Sequence, residues 1–383
     1  MQRKSFLRTE HLECLINQKS WGLPGIGTQS IGFKIGKKSG IILQSPSPTP
    51  KVLANYYRHI ATYNNPHRNN TPSKQKVNGV ARQIALCKET IGLIPKKIFQ
   101  VGCSDGYTLY RFKNAGATQV IGVDPSEACK KVAHSLYKIN TIIGSFEEIK
   151  IKKNFDLIIF THVLEHLYDP LRSLKKSASL QNENGFLLIE VPLFEKEYLF
   201  PAGYFTFEHL NYFSEGTLLE LLSKAGYSPQ FVGKYFYNEN YPVITVIAKK
   251  NTNIPHHEAE DYCKNKKEFE NYIKKEAKIW EKIRVKILSG IKKTDKVLIY
   301  GCGIHTTQLL VATGIKNELK IDGLLDSNPS KWGTDIEGII CKNIKDIDIT
   351  KDTAIIISSY ASQEEIYSSL KRTYKCKLLK LYD

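Results

Sequence analysis

None of the eight cysteines stands in a Cys-x-x-Cys pair, so neither a disulfide framework nor a zinc ribbon is indicated. Reduced thiols in a cytoplasm fit that usage best. Long apolar runs are missing too: nothing approaches the ~20 residues that span a bilayer, and the first thirty residues lack the apolar core of a signal peptide. A cytoplasmic chain with no membrane span is expected. Acidic residues are the third shortage, 38 Asp and Glu against 55 Lys and Arg, for a net charge of +17. The excess is uneven. Residues 1–80 hold twelve basic and two acidic residues, residues 262–293 hold eleven and four, and the remainder balances. A face that grips a phosphate backbone should itself be basic. The balanced middle of the chain therefore points to lysine-rich solvated surfaces, and no nucleic-acid partner is expected.

What is present is organised around Lys97 to Asp124. Ile98 to Val101 is a short apolar strand that breaks into Gly102-Cys103-Ser104-Asp105-Gly106, where two glycines permit backbone conformations that a Cβ resists. Such a turn can pass close to a ligand. Tyr107 to Lys113 has helical spacing, Gly116 ends it, and Val120 to Val123 forms a second strand ending in Asp124. An acid there can accept hydrogen bonds from two ribose hydroxyls, as in nucleoside recognition by a doubly wound sheet. Phe155 to Phe160 is a third buried-type strand, followed by Thr161-His162-Val163-Leu164-Glu165-His166-Leu167-Tyr168-Asp169-Pro170.

This combination resembles the class I S-adenosylmethionine-dependent methyltransferases over roughly Lys97 to Lys249. Gln100 stands where that family usually has an acid, and Ser104 replaces its middle glycine. The resemblance implies an α/β fold: a seven-stranded methyltransferase sheet, a second Rossmann-like α/β domain and a degenerate small N-terminal module. It also implies S-adenosylmethionine as cofactor, held by Gly102, Ser104, Gly106 and Asp124. Ser145 and Phe146, after the strand at Thr141 to Ile143, would border the adenine, and His162 would face the donor.

Several further stretches resemble the nucleotide-sugar C-methyltransferases. Gly40 to Pro46 and Leu53 to Tyr57 look like the strand and helix leading out of their N-terminal zinc-binding module. Only Cys14 remains of its soft ligands, so a metal-free remnant over residues 1–55 is expected. The methyltransferase domain would cover 56–250, a helical connector 251–294, and a Rossmann-like domain 295–383 would hold the nucleotide sugar. Asn64 to Lys76 reads as an exposed connection or a lid. His162 to His166 also spells the inverted zinc-protease pattern, but it follows directly on a strand and Pro170 closes it, so no metal is expected. Tyr204-Phe205-Thr206-Phe207-Glu208-His209-Leu210-Asn211-Tyr212-Phe213-Ser214 resembles the catalytic run of the sugar enzymes. There His209 would act as base and Glu208 would assist. Tyr204, Thr206 and Tyr212, with His305 from the glycine turn Gly301-Cys302-Gly303, are the candidate substrate contacts. Thr206 replaces a tyrosine of that family. The function this implies is methyl transfer to a nucleotide-activated sugar at carbon. The alternatives are a sugar O-methyltransferase and a non-catalytic nucleotide-binding protein, and an RNA methyltransferase is favoured by overall charge alone.

Overall fold

The computed structural model describes every residue except 24, 25, 60, 62–70, 153, 196–201, 239, 240, 252–256, 293, 294, 361 and 383. Residues 64–70 of the expected lid lie outside the described residues. The chain forms two compact units. Met1–Asn17, Gly32–Phe200 and Phe207–Phe269 make the first, and Gln18–Ile31, Pro201–Thr206 and Glu270–Asp383 the second.

The glycine-rich beginning folds into β1 (Leu12–Leu23), β2 (Gly27–Gly36) and β3 (Ile42–Gln44), and α1 (Pro50–His59) follows. Next come α2 (Lys74–Ile91), β4 (Lys97–Val101), α3 (Tyr107–Asn114), β5 (Gln119–Asp124), α4 (Glu127–Tyr137), β6 (Thr141–Ile143) and β7 (Phe155–Thr161). After a single 3-10 turn, Leu164–His166, the chain continues through α5 (Pro170–Leu180), β8 (Gln181–Pro192), β9 (Asn211–Tyr212), α6 (Glu215–Lys224), β10 (Tyr227–Asn238) and β11 (Tyr241–Lys250). The helix ends obey local chemistry. Ser73, Ser126 and Asp169 each accept a backbone N–H of the first turn of the helix they cap, and Ser214 forms a capping box with Thr217. Each such cap is worth about 0.5–2 kcal/mol.

The seven-stranded sheet runs β10-β11-β8-β7-β4-β5-β6. β8, β7, β4, β5 and β6 are parallel, and β11 is antiparallel to both neighbours. Helices cover both faces of a parallel sheet, so its strands read as continuous apolar runs. Leu157 to Phe160 accordingly have no exposed surface. β4 lies between β5 and β7, the point where the strand order reverses, and ligands bind doubly wound sheets beyond the strand ends at that point. The turn at Gly102 to Gly106 leaves β4 there. A second sheet, in the order β1-β2-β3-β9, joins the N-terminal strands to the residues just after His209.

The second unit takes most of α7 (Tyr262–Gly290), then β12 (Lys296–Tyr300), α8 (Ile304–Thr313), β13 (Ile321–Leu325), β14 (Asp335–Ile336), β15 (Ile339–Lys342), β16 (Thr353–Ile357), α9 (Gln363–Thr373) and β17 (Lys377–Lys380). Its six-stranded sheet runs β14-β15-β13-β12-β16-β17, parallel except for β14. Trp280, Ile283 and Ile287 on one stripe of α7 are buried in its core. Among the described residues no helix is long and apolar enough to cross a membrane.

Candidate active site

The turn after β4 is built from left-handed residues: Gly102 at φ +64°, Ser104 at φ +46° and Gly106 at φ +77°. A Cβ on Gly102 would stand 2.5 Å from Val163 Cγ2, and one on Gly106 2.9 Å from Ala133 Cβ. Conformation and space thus both demand glycine at these two positions. Ser104 takes the left-handed conformation without that freedom. Its backbone N–H donates to Asp124 Oδ2 at 2.8 Å, and Ser126 N–H donates to Oδ1 of the same carboxylate at 2.9 Å. Asp124 is 3% exposed, and burial pushes its carboxyl up to about 6 against the pull of these two donors. Each oxygen keeps a further lone pair that a ribose hydroxyl can use. Lys76 Nζ, from α2, holds Asp105 of the turn at 2.6 Å. Gln100 is buried, and its Oε1 has no hydrogen-bond partner among the described residues.

On the adenine side, Phe146 is 3% exposed and packs in the core, with its ring 5.9 Å from both Phe99 and Phe160. Ser145 donates its hydroxyl to Glu147 Oε2 at 2.5 Å.

His162 sits at φ +53°, a strained position for a residue other than glycine. Its Nδ1 lies 3.6 Å from Glu165 Oε1 and its Nε2 3.8 Å from Glu190 Oε1. Burial alone would lower its pKa, but Glu165 and Glu190 raise it above the ordinary histidine value.

His162, Glu165 and His166 lie on the loop after β7, and His209 comes to them just before β9. The His166 and His209 rings are 4.9 Å apart between centroids. Burial, reinforced by His166, pushes His209 down to about 3. A neutral imidazole of that kind is a weak base near pH 7, so the structure weighs against the role of free general base expected for it. Glu208 is engaged as well, accepting a hydrogen bond from the Tyr56 hydroxyl. Tyr212, 5.9 Å from His209 between ring centroids, is buried against Phe33.

The other substrate candidates belong to the second unit. Tyr204 is buried there, and its N–H donates to Tyr272 Oη at 2.9 Å; Thr206 closes the same short segment. His305 has both ring nitrogens bonded, Nδ1 with Ser358 Oγ at 2.9 Å and Nε2 with Tyr382 Oη at 2.7 Å, and burial pushes it down to about 4. It is committed to internal packing.

Arg3 and Asn211 escaped the sequence reading. The buried Arg3 guanidinium donates to Leu210 O at 2.6 Å, Tyr168 O at 2.8 Å and Asn211 Oδ1 at 2.7 Å. Asn211 Nδ2 in turn donates to Leu164 O at 3.0 Å and Leu167 O at 2.8 Å. Together they fix the loop that carries Glu165 and His166. Asn211 stood inside the aromatic run, where its polarity was a usable signal; Arg3, in an N-terminal stretch without pattern, offered none.

Residues 80–230 match a family model described as a methyltransferase domain, and residues 293–376 match one described as C2185-like, N-terminal. The seven-stranded sheet is a class I methyltransferase fold, and this is an S-adenosylmethionine-dependent methyltransferase domain with S-adenosylmethionine as its cofactor. A tRNA U34 carboxymethyltransferase of Campylobacter hominis is 32% identical over 111 residues, which are 27% of this chain and 39% of that protein. One of Haemophilus influenzae is 28% identical over 145 residues, 35% of this chain and 45% of that protein. The chain therefore spans less than half the length of these curated relatives. Among solved structures, the magnesium protoporphyrin IX methyltransferase from Synechocystis PCC 6803 with bound SAM is 16% identical, with a TM-score of 0.41 over 52% of this chain and 96% of that one.

These relatives overturn two expectations. A nucleotide-activated sugar was expected as acceptor, with sugar O-methylation, binding without turnover or, on overall charge alone, RNA methylation as alternatives, and no nucleic-acid partner was expected. The curated relatives are named for a tRNA nucleoside, so both the sugar assignment and the exclusion of nucleic acid are withdrawn. The exclusion failed at an identifiable step. It required the catalytic face itself to be basic, whereas a phosphate backbone can be held by basic segments elsewhere in a chain of net charge +17.

Proposed function

We propose that this chain transfers a one-carbon-linked group from an S-adenosylmethionine-type sulfonium to uridine 34 of tRNA. The observation that carries the reading is the Ser104–Asp124 turn at the switch point of a sheet whose sequence relatives are named for that nucleoside. In this reading the backbone of Gly102, Ser104 and Gly106 lies along the donor and Asp124 accepts its ribose hydroxyls. Ser145 borders the adenine, and the strained His162 fixes the wall near the sulfonium. The acceptor base meets the side of the site formed by Glu165, His166, Glu208 and His209. The carbon leaves the sulfonium as its S–C bond breaks, the sulfur becomes a thioether, and the acceptor gives up a proton as its new bond forms. Most of the acceleration in such an in-line displacement comes from positioning. The excess of basic residues supports an RNA partner on the same physical ground, since neutralised phosphates release counterions.

The test is incubation of the purified protein with bulk tRNA and isotope-labelled S-adenosylmethionine, followed by digestion to nucleosides and mass spectrometry. Label in a modified uridine supports the reading, and a parallel incubation with the sulfonium analogue that carries a carboxymethyl group in place of the methyl tells by the mass added which of the two groups is transferred. Label in no nucleoside, with the donor bound, rejects it.

A further inference from the structure

Glu165 presents an unusual electrostatic situation. Its carboxylate is buried, the residue being 2% exposed, and Oε2 has no hydrogen-bond partner among the described residues. Two imidazoles approach Oε1, His162 Nδ1 at 3.6 Å and His166 Nε2 at 3.7 Å, and neither closes to hydrogen-bond distance. An ionised carboxylate taken out of water costs several kcal/mol unless a positive charge and short contacts compensate it. At this spacing the short contacts are missing, and the opposing charge comes from imidazoles that carry it only when protonated.

The neighbouring groups are arranged as metal donors. One ligand atom each from Glu165, His166 and His209 lies within 4.8 Å of the other two. His166 has its Nδ1 2.9 Å from Glu208 O. Tyr57 Oη lies 3.0 Å from the same Nδ1; because a carbonyl only accepts, the tautomer with the hydrogen on Nδ1 serves Glu208 O and leaves the lone pair of Nε2 turned towards Glu165. An imidazole whose far N–H is fixed by a backbone carbonyl is the usual state of a metal-bound histidine. The frame is rigid, because Leu210 N–H donates to Glu165 O at 2.7 Å and Asn211 and Arg3 fasten the same loop. Around zinc, with bonds of about 2.0–2.2 Å, tetrahedral donors stand about 3.3 Å apart, so the donors need to draw in by a modest amount.

We infer that Glu165, His166 and His209 bind one divalent cation of the zinc class, leaving a coordination position open. Two imidazoles and one carboxylate with a vacant position form a set typical of catalytic rather than structural zinc. The cation supplies the short contact that Glu165 lacks. The inference does not depend on the identity of the acceptor.

Chelator-treated full-length protein, titrated with zinc chloride in a calorimeter, should bind one equivalent. Glu165→Gln, which keeps the side-chain shape, and His166→Ala should each weaken that binding by about 10²-fold, comparable with or larger than the effect of removing an outer partner. Donor titration and circular dichroism check that these variants fold. Cobalt loading of the wild-type protein gives a readout that needs no variant, since this site predicts visible d–d bands without the near-ultraviolet charge transfer of a thiolate ligand. The inference is overturned by the absence of saturable zinc binding, by binding that survives Glu165→Gln and His166→Ala, or by thiolate bands that place the metal on cysteines.

Discussion

Asp124 Oδ2 accepts the backbone N–H of Ser104 at 2.8 Å, and in the second unit Asp326 Oδ2 accepts that of Cys302 at 2.9 Å. Asp124 ends β5 and Asp326 directly follows β13, in each case the strand beside the one that leads into the glycine turn. The two turns differ in what else reaches the carboxylate. Lys331 Nζ lies 3.0 Å from Asp326 Oδ2, so the second unit satisfies its acid from its own chain. Among the described residues Asp124 accepts only backbone donors. That difference makes the first turn the donor site in our account.

Replacing Asp124 by Asn should weaken S-adenosylmethionine binding by about 1–3 kcal/mol, the scale of hydrogen bonds to a charged group. Calorimetric titration of the folded variant checks this, and wild-type affinity would move the ribose elsewhere.

The same residue sets a pH dependence. Burial raises its pKa to about 6 from the ordinary aspartate value of 3.8. A raised acid favours the folded state while it is protonated, so its contribution to the stability of the ligand-free protein is present below about pH 4 and lost as pH rises through 6. Donor binding follows the opposite sign, because the ionised form is the acceptor of the ribose hydroxyls. Affinity should rise through pH 6 in wild type, and this inflection should be absent from Asp124→Asn.

Gly102→Ala adds a methyl group 2.5 Å from Val163 Cγ2 at φ +64°. Backbone strain alone costs about 1–2 kcal/mol, and the clash adds to it. Combining it with Val163→Ala should recover the steric part and leave the strain. Urea unfolding of the three variants separates the two contributions; full recovery in the double variant would show that the backbone conformation is not limiting.

Arg3→Met removes a buried guanidinium that serves three acceptors on two segments. Leaving them unsatisfied should cost about 2–5 kcal/mol by urea unfolding. Arg3→Lys should not restore it, since a point charge cannot reproduce the planar fork. A loss below 1 kcal/mol would mean that water replaces the guanidinium.

The parts legible in the sequence were those with local causes. The strand, glycine turn, helix and Asp124 declare themselves through apolar runs and residues that tolerate positive φ, and β4 to β8 lie close to where patterning placed them. Residues 1–50 were opaque because glycines interrupt β1 and β2, so no local period marks them, and β3 finds its partner β9 far along the chain. The meeting of Glu165, His166 and His209 was equally hidden, since it depends on Leu210 pairing back onto Glu165 across 44 intervening positions.

The most direct test of the central claim uses an anticodon stem-loop carrying uridine 34 and a matched one with cytidine there, each incubated with enzyme and S-adenosylmethionine labelled in the transferable carbon. The account predicts label on the uridine substrate, none on the cytidine control, and strongly reduced transfer with Asp124→Asn at a subsaturating donor concentration. Equal labelling of both substrates, or none while the donor remains bound, would contradict it.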